Sequence, residues 1–219
     1  KISEEVNPDL DMANIHLDEF AKNGKVLFFD NIKGSKFKAV SNLFGTIDRS
    51  RFMFRDSLQI IKDLIKLKTN PFFALKNPIK SLFIVINGIY SIPKKVCFPK
   101  SFKEVTIADL PQIKCWKNDG GAFITLPQVY SEDPENPGIF NSNLGMYRIQ
   151  LSGNDFIQNE EIGLHYQIHR GIGIHQEKSN KIGKPLKVSI FVGGPPAHTF
   201  SAIMPLPEGM SELSFAGVL

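Results

Sequence analysis

Histidine is the residue type with the most suggestive placement in this sequence. Four of the five histidines fall between His165 and His198, in the last quarter of the chain. His165 and His169 are four residues apart, a spacing that on a helix would place both rings on one face, as in zinc sites. The surrounding residues favour a strand instead, where the two rings would lie about 13 Å apart, too far to share one metal ion. Spacing alone therefore favours polar histidines near a strand end.

The cysteines and the glycine-rich segments indicate little chemistry of their own. Cys97 and Cys115 belong to no Cys-x-x-Cys pair, and two cysteines cannot cross-link a domain of this size, which predicts a reducing, cytoplasmic setting. Residues 119–121 (Asp-Gly-Gly) and 193–196 (Gly-Gly-Pro-Pro) match neither a P-loop nor a dinucleotide-binding fingerprint. Both segments are predicted to be turns.

Composition is that of an ordinary globular protein. The 219 residues are 42% hydrophobic and 22% charged, which argues against a disordered chain. The longest uncharged stretch that could be helical, residues 81–93, is shorter than the roughly 20 residues of a membrane span. Residues 22–103 carry 17 Lys or Arg against 4 Asp or Glu, but these lysines are scattered singly and form no nucleic-acid-binding motif. We therefore predict neither a nucleic-acid partner nor a membrane span.

The first 110 residues have the pattern of a mixed α/β domain. A helix is predicted from Asn7-Pro8 to about Lys22, with Gly24 just beyond its end. The residues expected to be buried on one side of this helix are Leu10, Ile15, Leu17 and Phe20. Residues 26–29 and 37–40 are predicted to be the two strands of a hairpin.

A second helix is predicted to follow Asp48 as its cap. Apolar residues recur along it at spacings of three and four, namely Phe54, Leu58, Ile61, Leu64 (or Ile65) and Leu67. Asn70-Pro71 and Asn77-Pro78 are expected to interrupt the chain. Residues 82–89 fit either a short helix or a strand, and periodicity does not separate the two.

Residues 111–219 are predicted to form a second domain built from short strands. Strand-like runs alternate with turns rich in Gly and Pro, at 122–126, 145–151, 163–168 and 186–192. This pattern is typical of a β-barrel or sandwich, so the fold class is α+β with a boundary near residue 110. The chain ends in the apolar run 215–219, from which we expect it to be part of a longer protein.

The second domain resembles the UbiD-type carboxy-lyases, with motifs in the family's order over about 105 residues. The matching segments are CWKNDGGAFITLP at 115–127, NLGMYRIQ at 143–150, GLHYQIHRG at 163–171, GGPPA at 193–197, MPLPEG at 204–209 and SELSFAG at 211–217. Residues 1–110 fit the family's first domain more loosely. The resemblance implies an N-terminal α/β domain followed by a split, flavin-reductase-like β-barrel.

The resemblance also implies a reaction, the reversible decarboxylation of an aromatic or α,β-unsaturated carboxylic acid with prenylated FMN. Substrates of this class include precursors of the 4-hydroxybenzoate type. Loss of CO₂ from an sp² carbon leaves a carbanion that cannot delocalise, and no amino-acid side chain is an adequate electron sink. The protein would position the substrate and handle the proton.

Three residues match the family's ligands for a divalent metal: Asn143, His169 and Glu212. An amide oxygen, an imidazole and a carboxylate suit Mn²⁺ or Mg²⁺ better than an ion that prefers thiolates. In the family this metal bridges to the flavin phosphate, and K⁺ is expected nearby. Without the resemblance, Asn143 would be interpreted as a turn residue and Glu212 as one of a solvated pair.

Arg148 matches the family's catalytic arginine, whose planar guanidinium suits a carboxylate. It follows Asn143 by five residues, so on one regular strand the two would face opposite sides. The positions that line the flavin in the family are Met146, Tyr147, Arg148, His165, Tyr166, Gln167, Arg170 and Gly171.

The family's proton-donor carboxylates and a phosphate-binding lysine follow the motif at 215–217, where this chain ends. We therefore expect the chain alone to be inactive, and to act as a homo-oligomer or with the missing C-terminal region. One alternative is a non-catalytic flavin- or metal-binding subunit, or a fragment of a larger carboxylase assembly. Another is a flavin reductase, although no dinucleotide motif supports one.

Overall fold

Helices and short strands alternate along the chain in the computed structural model, which describes residues 1–70, 72, 76, 78–94, 96, 103–206 and 211–219. The helices are α1 (Asp11–Ala21), α2 (Ile47–Met53), α3 (Leu58–Thr69), α4 (Pro78–Gly88), α5 (Gly171–Lys181), α6 (Pro196–Ser201) and α7 (Glu212–Val218). The strands are β1 (Leu27–Phe29), β2 (Ala39–Ser41), β3 (Phe123–Ile124), β4 (Gln128–Glu132), β5 (Ser142–Gly145), β6 (Arg148–Gln150), β7 (Gly163–His165) and β8 (Val188–Phe191).

The chain folds into two compact units that are interleaved in sequence. Unit 1 comprises the described residues of Lys1–Ser50, Phe98–Pro127 and Tyr147–His165. Unit 2 comprises those of Arg51–Cys97, Gln128–Met146 and Tyr166–Leu219. Each unit therefore takes segments from both sides of residue 110.

The β1–β2 hairpin and the N-terminal segment enclose the apolar cluster of unit 1. The predicted hairpin is confirmed, since β1 and β2 pair antiparallel with Phe28 opposite Val40. Residues 2–9 do not begin a helix, because Ile2 and Val6 bridge to Phe29 and Ile32 instead. The buried cluster is formed by Val6, Met12, Phe29 and Ile32.

Helix α1 starts later than predicted and buries a different residue. Met12 is its buried side chain, whereas Leu17 and Phe20 are 45% and 51% exposed, so their predicted burial was wrong. Just beyond the end of the helix, Asn23 has a left-handed φ of 51°. The Gly24 N–H then donates a hydrogen bond to the Glu19 carbonyl at 2.8 Å. This is a Schellman ending with asparagine rather than glycine at the left-handed position.

The single helix predicted after Asp48 is in fact two helices, α2 and α3, separated by residues 54–57. The Ser57 hydroxyl bonds to the Phe54 carbonyl at 3.2 Å, a local side-chain bond that competes with continued helix. Helix α3 ends at Thr69, and residues 82–89, left open between helix and strand, belong mainly to α4. Pro71 and Asn77 lie outside the described residues. Among the described helices, none combines the length and the apolar character needed to cross a bilayer.

Unit 1 also contains a three-stranded antiparallel sheet in the order β3-β6-β7. Phe123 lies opposite Gln150, and Arg148 lies opposite His165. Because alternate residues of a strand share a face, Phe123, Arg148 and His165 all lie on one face of this sheet.

Unit 2 contains the sheet β5-β4-β8, with β5 at one edge. Helix α5 packs on the face that carries Asn143 and Ser131, which are paired across β5 and β4. Helix α7 packs against α6 and against the 3₁₀ turn Ile89–Ser91.

The second half of the chain is more helical than predicted. The predicted strand at 145–151 is wrong as one element, since Gly145 ends β5 in unit 2 and Arg148 begins β6 in unit 1. Strand β4 and helices α5, α6 and α7 were not predicted. The described strands form sheets of two or three strands, and no closed barrel is found among them.

Candidate functional site

Asn143 lies on edge strand β5, with its side chain against the first residue of α5. A Cβ atom built on Gly171 would lie only 2.1 Å from Asn143 Oδ1 and 2.8 Å from its Cγ. Any side chain at position 171 would therefore occupy the space of the Asn143 amide. Glycine at the start of α5 is what allows this helix to begin beside Asn143.

Glu212, the first residue of α7, reaches the same strand. Its Oε2 accepts a hydrogen bond from the Leu144 backbone N–H at 3.1 Å. Burial raises the pKa of the Glu212 carboxyl, while hydrogen bonds from its own amide and that of Leu144 oppose the rise. Glu212 therefore contacts the backbone of Leu144, the residue that follows Asn143 on β5.

His169 lies in the turn that precedes α5, two residues before Gly171. Its side chain is exposed. A Cβ on Gly173 would lie 2.0 Å from the Ile168 carbonyl oxygen, so this turn packs tightly against the first turn of α5. His165 is instead the last residue of β7, so the expectation that both histidines share one strand was wrong.

Clusters of titratable side chains that could form a different kind of metal centre do not occur in the described residues. These residues hold no group of three or more His, Cys, Asp or Glu side chains that could bind a metal ion. The three ligands predicted from the sequence are not such a group, because only His169 and Glu212 are of these residue types and the third ligand is the amide of Asn143.

Arg148, the predicted catalytic residue, lies in unit 1 at the start of β6. Its guanidinium carbon is 4.3 Å from the centroid of the Phe123 ring, and Nη2 is 3.3 Å from Asp119 Oδ1. The His165 ring contacts Phe123 edge-on, with centroids 6.4 Å apart. Arg148 and Asn143 lie on different strands of different sheets. The expectation that they would face opposite sides of one regular strand therefore does not apply.

The residues predicted to line a flavin are divided between the two units. Tyr147, Arg148 and His165 belong to unit 1, and the other five belong to unit 2. Tyr147 is buried, whereas Gln167 and Arg170 are exposed and bond to each other at 3.3 Å. Met146 and Tyr166 are half-buried.

Sequence reasoning missed a polar network that joins α6 to the sheet of unit 2. The buried Gln128 donates to Thr199 Oγ1 at 2.9 Å, and its Oε1 is 3.1 Å from His198 Nδ1. Burial lowers the pKa of His198. Only the clustering of histidines hinted at this network, because its members are some 70 residues apart in sequence.

A similar contact, also missed, fixes α5 on the sheet. His175 Nδ1 is 2.9 Å from Ser131 Oγ, and Ser131 pairs with Asn143 across the sheet. One turn later, Lys178 Nζ is 2.6 Å from Asp133 Oδ2. Burial is the main cause that lowers the pKa of His175. These bonds hold the start of α5, with Gly171, in place beside Asn143.

Unit 2 also has a cavity of about 410 Å³, within the size range of small-molecule sites. Its lining comes from β4, β8, the end of α5 and nearby loops, and contains none of the predicted site residues. Burial and a hydrogen bond to Glu132 raise the pKa of Tyr130, which lines it, to about 12.

Two family models match this chain. The N-terminal domain of 3-octaprenyl-4-hydroxybenzoate carboxy-lyase matches residues 1–68, and the Rift-related domain of that carboxy-lyase, UbiD, matches residues 92–219. The chain therefore belongs to the UbiD carboxy-lyase family.

A curated relative extends the likeness to nearly the whole chain. This relative, a 4-hydroxybenzoate decarboxylase subunit from Chlamydia pneumoniae, is 37% identical over 222 residues, which cover 98% of this chain and 36% of that protein. The chain thus spans little more than a third of the length of this relative.

Solved structures share the fold. The closed form of vanillic acid decarboxylase from Sedimentibacter hydroxybenzoicus has a TM-score of 0.74 at 24% identity, covering 99% of this chain and 44% of that one. The UbiD-class enzyme HmfF from Pelotomaculum thermopropionicum, in complex with FMN, has a TM-score of 0.72 at 19% identity, covering 100% and 44%. An evolved dimeric form of HmfF, in complex with prFMN, has a TM-score of 0.68 at 18% identity, covering 100% and 46%.

Proposed function

We propose that this chain is the flavin- and metal-binding part of a UbiD-type decarboxylase. The reaction is the reversible release of CO₂ from an aromatic or α,β-unsaturated carboxylic acid, with 4-hydroxybenzoate-type acids as the first candidates. Family membership and the name of the Chlamydia pneumoniae relative support the reaction class. The structural observation that carries the proposal is the hydrogen bond from the Leu144 N–H to Glu212, one residue after Asn143 on edge strand β5.

The residues present fit a divalent cation. Gly171 leaves space for the Asn143 amide. The Glu212 carboxyl is partly buried and its pKa is raised, so a cation beside it would favour its ionised form. We propose that Asn143, Glu212 and His169 bind Mn²⁺ or Mg²⁺, with K⁺ nearby. Their oxygen and imidazole donors match the preferences of these ions.

We propose prenylated FMN as the organic cofactor, supported by the complexes of HmfF with FMN and prFMN. When bound, this group supplies the electron sink that loss of CO₂ from an sp² carbon requires. The chain's own contribution is to hold the flavin through the predicted lining residues. We retain the split, flavin-reductase-like barrel and the domain limits 1–110 and 111–219 as proposals for the complete protein.

Arg148 is proposed to bind the carboxylate of the substrate. Its guanidinium offers paired N–H donors in one plane, which match the two oxygens of a carboxylate. Its side chain is 60% exposed, so these donors are accessible to a ligand. The substrate would thus be oriented by one fixed positive charge.

A second candidate is a subunit of a larger carboxylase assembly that does not catalyse the reaction by itself. The observation that favours it is the name of the Chlamydia pneumoniae relative, which describes that protein as one subunit of a decarboxylase. Association with further chain, or with a second copy of this one, would then complete the site.

The test is CO₂ release by the complete gene product, loaded with prenylated FMN and Mn²⁺, from a panel of hydroxylated and methoxylated benzoic acids. We expect turnover of at least one acid by the wild type. We expect Arg148→Lys to lose about 100-fold or more in rate while retaining flavin, because an ammonium group cannot hold a carboxylate through two parallel bonds.

Arg55→Lys is the matched control. Arg55 is also an exposed arginine stacked on a phenylalanine, with its guanidinium carbon 4.4 Å from the centroid of Phe52, but it lies outside the proposed site. It should retain wild-type turnover. Near-normal turnover by Arg148→Lys would contradict the assigned role, and flavin binding without CO₂ release from any acid would favour the subunit function.

A further inference from the structure

Asp119 faces Arg148 within unit 1 from the loop that precedes β3. Its Oδ1 is 3.3 Å from Arg148 Nη2, and its side chain is only 11% exposed. Sequence reasoning assigned this aspartate to a turn and gave it no function.

Asp119 is itself held firmly by that turn. Its Oδ2 accepts the Trp116 N–H at 3.0 Å, while its own N–H donates to the Trp116 carbonyl at 3.0 Å. A nearby glycine also fixes the loop, since a Cβ on Gly121 would lie 2.0 Å from the Ser152 carbonyl oxygen. One carboxylate oxygen is therefore used by the turn, and the other is directed at Arg148.

The Phe123 ring packs against one face of the Arg148 guanidinium. Phe123 is 9% exposed, and the charge of Arg148 lies over its face at 4.3 Å, within the range of a cation–π contact. The guanidinium is therefore held at one edge by Asp119 and on one face by Phe123. The Arg148 side chain is nevertheless 60% exposed, so a ligand can reach it.

We propose that Asp119 is a positioning residue for Arg148, which orients the guanidinium before the substrate carboxylate arrives. This inference rests on the proposed function of Arg148. A long exposed side chain loses conformational freedom on binding a ligand, and a partner that restricts it beforehand reduces that loss. Asp119 does not touch the substrate in this role and acts only through Arg148.

Asp119→Asn isolates this contact from the turn. An asparagine amide oxygen can still accept the Trp116 N–H, but the remaining position then carries an NH₂ group, which cannot accept a bond from Arg148. In the complete gene product we expect kcat/KM for the best acid to fall about 10- to 100-fold, with flavin content and the thermal midpoint unchanged. Asp119→Glu, which restores the charge, should recover part of the loss.

Asp30→Asn is the matched control, since Asp30 is also a unit 1 carboxylate paired with cations, Lys1 and Lys38. It should stay within about twofold of the wild type. The positioning role is overturned, with the proposed function intact, if Asp119→Asn stays within twofold while Arg148→Lys is inactive. It is also overturned if Asp119→Glu is as impaired as Asp119→Asn. Retained activity in Arg148→Lys would instead refute the proposed function and the inference with it.

A second readout that does not depend on turnover comes from Cys115. Burial is the main cause that raises the pKa of its half-buried thiol, and the charge of Asp119 raises it further while that of Arg148 lowers it. Alkylation of the Cys115 peptide, followed by mass spectrometry across a pH series, should show a lower thiol pKa in Asp119→Asn. An unchanged profile would show that the carboxylate does not occupy this position, and would overturn the proposal.

Discussion

Replacing Gly171 by alanine should separate metal binding from folding. The new Cβ would lie 2.1 Å from Asn143 Oδ1, whereas such contacts are not found below 3.0 Å. The oxygen must therefore move by about 1 Å to reach even this limit. The Asn143 Cβ is 3.3 Å away, so rotation of the amide can relieve the overlap without moving β5.

The expected magnitude follows from the geometry of coordination. Metal–ligand distances tolerate only about 0.2 Å of error, so a shift of about 1 Å removes Asn143 as a ligand. We expect the affinity for Mn²⁺ to fall at least about 10-fold. Mutation of a residue that only hydrogen-bonds to a metal ligand typically costs at least that much in metal affinity. Metal-free stability should be unchanged or higher by up to about 1 kcal/mol, since alanine favours helix over glycine.

The assay is a Mn²⁺ titration of the FMN-loaded complete gene product, followed by the electron paramagnetic resonance signal of free Mn²⁺. Gly88→Ala is the control, because a Cβ at this helical glycine meets no atom within 4 Å. It should bind Mn²⁺ like the wild type. Unchanged Mn²⁺ affinity in Gly171→Ala would refute the assignment of Asn143 as a ligand.

Three further predictions concern stability, each measured as the free energy of unfolding in urea. Gly121→Ala should lose about 1–3 kcal/mol, because its Cβ would meet the rigid Ser152 carbonyl at 2.0 Å; wild-type stability would contradict this close packing. Ile172→Ala should lose about 2–5 kcal/mol, since Ile172 is fully buried in α5, and a loss below about 1 kcal/mol would argue against that burial. The pKa of His198 is lower in the folded protein, so as the pH falls the unfolded chain takes up a proton first. The stability contributed by neutral His198 is therefore present above about pH 6.5 and is lost as the pH falls through the pKa of the folded state. His198→Gln should therefore lose less stability than the wild type between neutral pH and about pH 5, and equal losses would refute the burial of a neutral His198.

Local sequence signals predicted the elements that depend on neighbouring residues. The hairpin at 27–41 and the end of α3 before Asn70-Pro71 follow from turn and proline chemistry that acts over a few residues. The break between α2 and α3 was missed because the apolar spacing continues across it. In the structure it is marked by the bonds of the Ser57 hydroxyl and the Ser57 N–H to the Phe54 carbonyl.

The arrangement of the candidate site depends on contacts that spacing cannot show. Asn143 and Arg148 are five residues apart in sequence, yet they belong to different sheets because the chain passes from one unit to the other after Met146. Glu212 reaches β5 from a helix 68 residues further along the chain. The family resemblance supplied these residues as a set, whereas the role of Gly171 became visible only from the distance between its position and Asn143 Oδ1.

The most direct test of the metal and flavin site is anomalous diffraction from crystals of the complete gene product with FMN and Mn²⁺, recorded at the manganese absorption edge. We expect one peak with Asn143 Oδ1, a ring nitrogen of His169 and a carboxylate oxygen of Glu212 at about 2.0–2.3 Å from it. A manganese ion bound away from the edge of β5, or one coordinated without these three side chains, would contradict the proposed site.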